Sequence, residues 1–152
     1  MREILFKAKR IDNGEWIEGS LITGVFFRLG QGIPYIFCPD EADYDCFEDF
    51  SEENGIFEVD PATICQYTGL TDKNGKRIWE NDIVNCIEKR GAAFFHCVVA
   101  WNRVKARFDV NTFDCNFPMT LDPIPNDIAI NGLDYEVIGN IFDNSELLKE
   151  SE

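Results

Sequence analysis

The strongest constraint on the fold of this chain is a set of turn-forming residues that divides it into short extended runs. An Asn-Gly step at Asn13-Gly14 separates two runs of β-forming residues, 3–10 and 16–22. Asn-Gly between such runs is the strongest short-range signal for a β-hairpin, because both residues tolerate positive φ. The sequence therefore predicts an N-terminal hairpin whose turn is made by these two residues.

Similar runs continue along the chain, separated by Gly, Asn, Asp and Pro residues. They are rich in β-branched and aromatic side chains, which favour strands, and aromatic residues make up 13% of the chain. We predict strands at 25–29, 33–38, 62–67, 77–79, 82–88, 93–101, 103–110 and 135–142. This pattern predicts a mainly β protein.

Two segments depart from the strand pattern. Residues 39–54 contain eight acidic residues and no basic one, and such runs are usually solvated loops. Tyr44, Phe47 and Phe50 recur there at near-helical spacing, so a short acidic amphipathic helix is the alternative. A second short helix is predicted at 145–150, after the last strand. We therefore expect one or two short helices beside the strands.

The length of 152 residues is that of one domain. A chain of this size buries about two-thirds of its surface on folding, which is enough for a core of its own. We expect 1–152 to form a single domain. The alternative is a subdivision into an N-terminal β part, 1–60, which contains the acidic run, and a barrel-like part, 61–152.

The net charge of −14 argues against two classes of partner. Duplex nucleic acid requires clustered Lys and Arg, and an anionic membrane repels an acidic chain. The opening MREILFKAKR lacks the apolar core of a signal peptide, and no apolar run approaches the length of a membrane span. We expect a cytoplasmic protein, with its six cysteines reduced and mostly in the core.

Three segments of the chain carry distinctive motifs: MREILFKAKRIDNGEWIEG at 1–19, QYTGLTDKNGKRIWENDIV at 66–84 and YEVIGNIFDNSELL at 135–148. Together they resemble the YopX family of small phage and prophage proteins. The middle segment carries the family's Thr-Gly-Leu, its Asp-Lys-Asn-Gly turn, an aromatic residue and Asp-Ile-Val. Asn81 stands where the family usually has Gly. Since Asn tolerates positive φ better than other non-glycine residues, we expect a left-handed turn at Asn81.

The resemblance implies a phage or prophage accessory protein of uncharacterised function. The turn, the strands that follow it and the final strand with its short helix are also similar to a small SH3-like barrel, which we expect from about residue 60 onward. Fold similarity of this kind does not assign a function.

The sequence offers no catalytic or metal-binding constellation. His96 and Cys97 are neighbours on a predicted strand, so their side chains should point to opposite faces and cannot form a dyad. The acidic run lacks the spacing of a calcium-binding EF-hand loop: with Asp43 in first position, the twelfth is Asn54 and not Glu. No phosphate-binding loop is present either. We predict a non-enzymatic protein without metal or cofactor.

Basic residues are concentrated in one part of the chain. Residues 73–107 contain eight basic and three acidic side chains. The run 103–110 alternates, which predicts that Val104, Ala106 and Phe108 face the core. The opposite side of this strand would then be either an ordinary solvent face that merely alternates or a basic binding face, to which a neighbouring strand could add two further cations. The candidate binding residues are Arg103, Lys105, Arg107, Lys89 and Arg90.

A basic face of this kind could bind a polyanion, and three functions follow. The first hypothesis is a protein–protein interaction module that self-associates or binds a host or phage protein, with the acidic run as one candidate ligand. The second is a nucleic-acid-binding module, which the net charge disfavours. The third is an acidic mimic of nucleic acid that blocks a host protein.

Overall fold

The computed structural model describes residues 3–23, 32–42, 54–88, 94–112, 119–120 and 133–148, and these consist of antiparallel strands with two 3-10 helices. The strands are β1 (Phe6–Lys9), β2 (Trp16–Ile22), β3 (Tyr35–Ala42), β4 (Asn54–Glu58), β5 (Cys65–Thr71), β6 (Arg77–Trp79), β7 (Asp82–Glu88), β8 (Phe94–Asn102), β9 (Arg107–Thr112), β10 (Met119–Thr120) and β11 (Leu133–Asn140). The 3-10 helices are Pro61–Thr63 and Ser145–Leu148. The prediction of a mainly β protein is confirmed.

The chain divides into two compact units, Met1–Gln66 and Tyr67–Glu152. β5 begins in the first unit and ends in the second. Whether the whole chain behaves as one domain stays a prediction. Neither of the described helices is long or apolar enough to span a membrane.

In the first unit, the strands follow the order β4-β3-β2-β1-β5. β1 and β2 form the predicted N-terminal hairpin, with Phe6 opposite Gly19 and Lys9 opposite Trp16. The turn is wider than the predicted two-residue turn: the Arg10 N–H donates to Glu15 O at 2.9 Å, which leaves four residues in the loop. Gly14 has a φ of 73°. Asn13 does not have the predicted positive φ, and its Oδ1 accepts the Glu15 N–H at 2.9 Å.

The core of the first unit is formed by alternate positions of these strands. Its buried members are Ala8, Ile17, Ile36, Phe57 and Val59. β2 approaches β3 closely at Gly19, where a Cβ atom would lie 2.0 Å from the Phe37 carbonyl oxygen. After β4, Asp60 caps the first 3-10 helix by accepting the Ala62 N–H at 2.9 Å, and this helix leads into β5.

The ends of the acidic run are strand rather than loop or helix. Residues 39–42 are the last part of β3, residue 54 is the first of β4, and Ala42 pairs with Asn54. The prediction of a loop or helix throughout 39–54 is therefore wrong at both ends, because the β3–β4 ladder extends into the run. The central part, 43–53, lies outside the described residues.

In the second unit, β10-β9-β8-β7-β11 form a five-stranded antiparallel sheet, and β5 pairs with β6. Asn81 has a φ of 66°, so the predicted left-handed turn between β6 and β7 is confirmed. The main hydrophobic core cluster of this unit consists of Ile78, Val84, Cys86, Cys97, Val99, Phe108, Val110, Leu133 and Tyr135. The described strands do not close into a barrel, and the SH3-like barrel from about residue 60 stays a prediction.

Candidate binding surface on the β8–β9 hairpin

A four-residue turn joins β8 to β9 and projects from the end of the second unit's sheet. The last pair of the ladder is Asn102 opposite Arg107, and residues 103–106 form the turn between them. The Asn102 Oδ1 accepts the N–H groups of Val104 and Lys105, both at 3.1 Å. Asn side chains commonly stabilise turns by accepting such local N–H groups. Asn102 thus ends the strand and sets the turn.

A buried carboxylate anchors the base of this turn. The side chain of Asp109 is only 2% exposed, and its Oδ1 accepts from Arg107 Nε at 2.8 Å. Its Oδ2 accepts from Asn102 Nδ2 at 2.7 Å. Asn102 therefore bonds to the turn through its oxygen and to Asp109 through its nitrogen. Because hydrogen bonds to a charged group are strong, this network restricts the movement of the turn.

The turn exposes apolar side chains. Val104 is 95% exposed and Trp101 is 40% exposed. The Trp101 ring packs edge-on against Phe108, with centroids 4.9 Å apart and an interplanar angle of 67°. Phe108 is itself buried in the core of the unit, so Trp101 is held in position while part of its ring faces solvent. We refer to Trp101 and residues 103–106 as the hairpin tip.

The hairpin tip also carries unpaired positive charge. Arg103 and Lys105 are exposed. Elsewhere in the described ranges each basic side chain has a partner, which is an acidic group for Arg10, Lys73, Lys76 and Arg107 and an aromatic ring for Lys7, Lys9 and Arg77. Within that part of the chain, Arg103 and Lys105 alone lack one. The tip therefore combines free cations with exposed apolar surface.

The structure changes the predicted basic face. Arg103 and Lys105 lie in the turn and not on a strand, while Arg107 lies on β9 and is bound to Asp109. The prediction that Val104 and Ala106 face the core is wrong: both are exposed, and Ala106 has a φ of 50°. The physical reason is Asn102, which captures backbone N–H groups and begins the turn earlier than the alternation indicates.

The remaining predicted binding residues, Lys89 and Arg90, lie outside the described residues. Trp101 was not predicted as part of the surface, since it ends a long apolar run that reads as buried strand. The sequence signal that could have identified Trp101 is Asn102, which follows it, because a turn-forming residue directly after an aromatic residue places the aromatic residue at the end of a hairpin.

His96 and Cys97 lie on β8 and do not form a dyad. Cys97 is fully buried, and His96, the next residue on the strand, is half-buried on the opposite face. The Cys97 Sγ lies 3.2 Å from the Cys86 Sγ on β7. This hydrogen bond raises the pKa of the Cys86 thiol, and burial and the neighbouring sulfur raise it further. Such a thiol is a poor nucleophile at neutral pH.

The cysteines of the described ranges agree with the sequence prediction. Cys38, Cys65, Cys86 and Cys97 are all free, and the last three are buried. In the same ranges no group of three or more His, Cys, Asp or Glu side chains is arranged to hold a metal ion.

Asp72, a buried carboxylate of the second unit, serves the turn between β5 and β6. It accepts backbone N–H groups of Asn74, Lys76 and Val137 at 2.8, 2.9 and 3.0 Å. Burial raises the pKa of Asp72, but these hydrogen bonds and the charge of Lys76 outweigh it and hold the pKa below 3.8. The carboxylate is therefore ionised and fully engaged at neutral pH, which suits a structural role.

Comparison with known proteins identifies the family. The family model described as YopX protein matches residues 6–149. The chain belongs to the YopX family. The resemblance found in three segments of the sequence thus extends over nearly the whole chain. Membership of the YopX family provides no catalytic evidence in either direction.

One solved structure similar to this YopX-family chain is that of protein EF1440 from Enterococcus faecalis. The two are 26% identical, the similarity covers 97% of this chain and 99% of the other, and the TM-score is 0.49. No curated protein matches the chain.

Proposed function

We propose that this YopX-family chain is a non-enzymatic protein–protein interaction module and that the hairpin tip is its binding element. The observation that carries the proposal is the nearly complete exposure of Val104, 95%, beside the half-exposed ring of Trp101. Aromatic residues and Arg are enriched where proteins bind one another, and Lys is tolerated at the rim. Because members of the family occur in phages and prophages, we infer an accessory role in a bacterial cell that carries a phage or prophage.

The way the tip is held supports this role. Binding costs less when the binding groups are already ordered, because fewer side-chain and loop rotations are lost on association. Asn102 fixes the backbone of the turn, Asp109 fixes Asn102, and Phe108 fixes the ring of Trp101. Exposed apolar groups on an ordered turn therefore have a lower entropic cost of binding than the same groups on a loose loop.

Nucleic-acid binding is the second candidate, and a specific observation favours it. Trp101 lies in the same tip as the free cations Arg103 and Lys105, and a ring beside cations suits the stacking of single-stranded bases. The net charge of −14 opposes this candidate, since it repels phosphate beyond the local site. We therefore rank protein binding first.

Site-specific photo-crosslinking tests the proposal. A benzoyl-phenylalanine is introduced at Val104 in a bacterial cell that expresses the protein, and Ile4, 64% exposed in the first unit, is the matched control position. We expect discrete protein adducts at position 104 that are lost in the R103E/K105E background, and none of them at position 4.

Two outcomes contradict the proposal. Protein adducts that are identical at positions 4 and 104 would mean that the tip is not selective. Adducts to nucleic acid at position 104, without protein adducts, would favour the second candidate.

A further inference from the structure

We propose that the partner of the hairpin tip is the acidic segment 43–53 of a second copy of this chain. The inference rests on the proposed function and deepens it by naming the partner. The protein would then be a self-associating module, because each copy could bind a second copy through its tip and a third through its acidic segment.

The chemistry of the two surfaces is complementary. Segment 43–53 contains six acidic residues and no basic one, with aromatic residues at Tyr44, Phe47 and Phe50. The tip offers two cations without partners among the described residues, together with the apolar side chains of Val104 and Trp101. Carboxylates could therefore meet Arg103 and Lys105 while aromatic rings cover the exposed apolar groups.

The sheet of the first unit fixes the two points at which this segment leaves β3 and enters β4. Its two ends are joined to β3 and β4, and Ala42 pairs directly with Asn54 across the ladder. The ends of the segment are thus held side by side by a sheet.

The net charge of −14 does not forbid association. At physiological ionic strength the screening length is about 8 Å, so repulsion between the bulk of two copies is largely screened. Ion pairs in direct contact are screened less, and they contribute most where apolar groups exclude water beside them. The exposed ring of Trp101 and the side chain of Val104 supply such groups.

The contact is heterologous, because the tip of one copy meets a different surface on the next. Each copy therefore has one tip and one acidic segment to offer. Contacts of this kind build closed rings if the rotation between copies closes, and open chains if it does not. A two-fold dimer would require both contacts to form at once.

Light scattering after size exclusion tests the proposal on the full chain. We expect the wild-type mass to rise with protein concentration and to fall with added salt. R103E/K105E should weaken association by at least about tenfold, since both charges then repel the segment. K73E/K76E, which changes the net charge equally at another exposed turn, is the matched control and should associate nearly as wild type, provided its circular dichroism is unchanged.

A charge swap makes the test specific. A second variant, E48K/D49K, replaces two of the six acidic residues of segment 43–53 with lysine and should also self-associate more weakly than the wild type. In a mixture with R103E/K105E, E48K/D49K provides an unchanged basic tip, and R103E/K105E provides an unchanged acidic segment. We expect the equimolar mixture to associate more strongly than either variant alone.

The proposal is overturned by a wild type that is monomeric at every concentration and salt, by a tip variant that associates as strongly as the wild type, or by a mixture that associates no better than either variant alone. The failure of the second copy as partner is distinguishable from the failure of the proposed function. If the wild type is monomeric but position 104 crosslinks to another protein, only the choice of partner is wrong. If neither occurs, both proposals fall.

Discussion

Single carboxylates hold the turns of the second unit in place. Asp72 accepts three backbone N–H groups, Asp82 accepts the Trp79 N–H at 2.8 Å, and Asp109 anchors the β8–β9 turn. All three are at most 4% exposed. Buried charge is unfavourable without partners, so each of these residues stabilises the fold only because its hydrogen bonds are formed.

Asp72 predicts an acid-sensitive contribution to stability. The pKa of Asp72 in the folded protein lies below the ordinary value of an Asp carboxyl, so the stabilisation is complete well above the ordinary pKa and is lost as the pH falls through the lowered pKa. Asp72→Asn should cost about 2–3 kcal/mol at pH 7, because an amide cannot accept all three N–H groups. The difference from wild type should then shrink below pH 3.8.

Urea unfolding between pH 7 and pH 2 measures this difference. Asp12→Asn is the control: its carboxylate is exposed and bonded to Arg10, and water screens that pair. An Asp72→Asn deficit that stays constant through the acid range would show that the charge of Asp72 contributes nothing.

Ala106 is a residue under backbone strain. Its φ of 50° is a left-handed conformation that costs a non-glycine residue about 1–2 kcal/mol. Ala106→Gly should therefore stabilise the protein by about 0.5 kcal/mol, after the greater freedom of Gly in the unfolded chain is subtracted. Ala100→Gly, in the middle of β8, should destabilise instead. Thermal or urea unfolding midpoints compare the two variants. A lower stability of Ala106→Gly than of the wild type would contradict the claim that Ala106 is strained.

At the scale of elements, short runs bounded by turn residues were predicted well. β6 and β7 have the predicted bounds, and the N-terminal hairpin is confirmed. In these places the turn chemistry and the alternation of side chains agree. The positive φ of Asn81 could be predicted for the same reason, since few other residues tolerate it.

The candidate site was predicted less well, because local alternation and side-chain hydrogen bonding disagree there. Val104 and Ala106 have the spacing of a strand, and no Gly or Pro marks the turn. The end of β8 and the start of the turn are determined by Asn102 and by its hydrogen bond to Asp109, a residue seven positions away. Alternation within a short window cannot show such a bond, so the placement of Arg103 and Lys105 in a turn could not be predicted from the sequence.

The close approach of β2 and β3 makes a prediction for an element. A Cβ at Gly19 would lie 2.0 Å from the Phe37 carbonyl oxygen, and backbone cannot move aside as a flexible side chain can. Gly19→Ala should separate the two strands and cost about 3 kcal/mol. Gly14→Ala is the matched control: its φ is 73° but nothing lies within 4 Å, so about 1 kcal/mol is expected. Equal losses in urea unfolding would refute the steric reason.

At the scale of the whole molecule, β5 carries ladder pairs in both units. Cys65 and Gln66 pair with β1, and Tyr67 and Thr71 pair with β6. Loss of either ladder would free part of the same strand. The two units should therefore unfold together, as the sequence prediction of one domain requires.

Two spectroscopic probes test this cooperativity. Trp16 reports on the first unit and Trp79 on the second, and variants that retain one of them, with the other tryptophans replaced by Phe, separate the signals. We expect coincident urea transitions. Gly19→Ala should shift the Trp79 transition as far as the Trp16 transition. Distinct midpoints, or a Trp79 transition that Gly19→Ala leaves in place, would show two independent domains.

The pair of thiols between β7 and β8 has a practical consequence for dynamics. Cys86 and Cys97 are fully buried, so a thiol reagent can modify them only when the two strands part. In a chain whose other cysteines are replaced by Ser, the rate at which the reagent modifies Cys86 and Cys97 would report how often this part of the sheet opens. Mass spectrometry of the modified chain would therefore measure the opening of β7 from β8 through two native residues, without an engineered probe in the sheet.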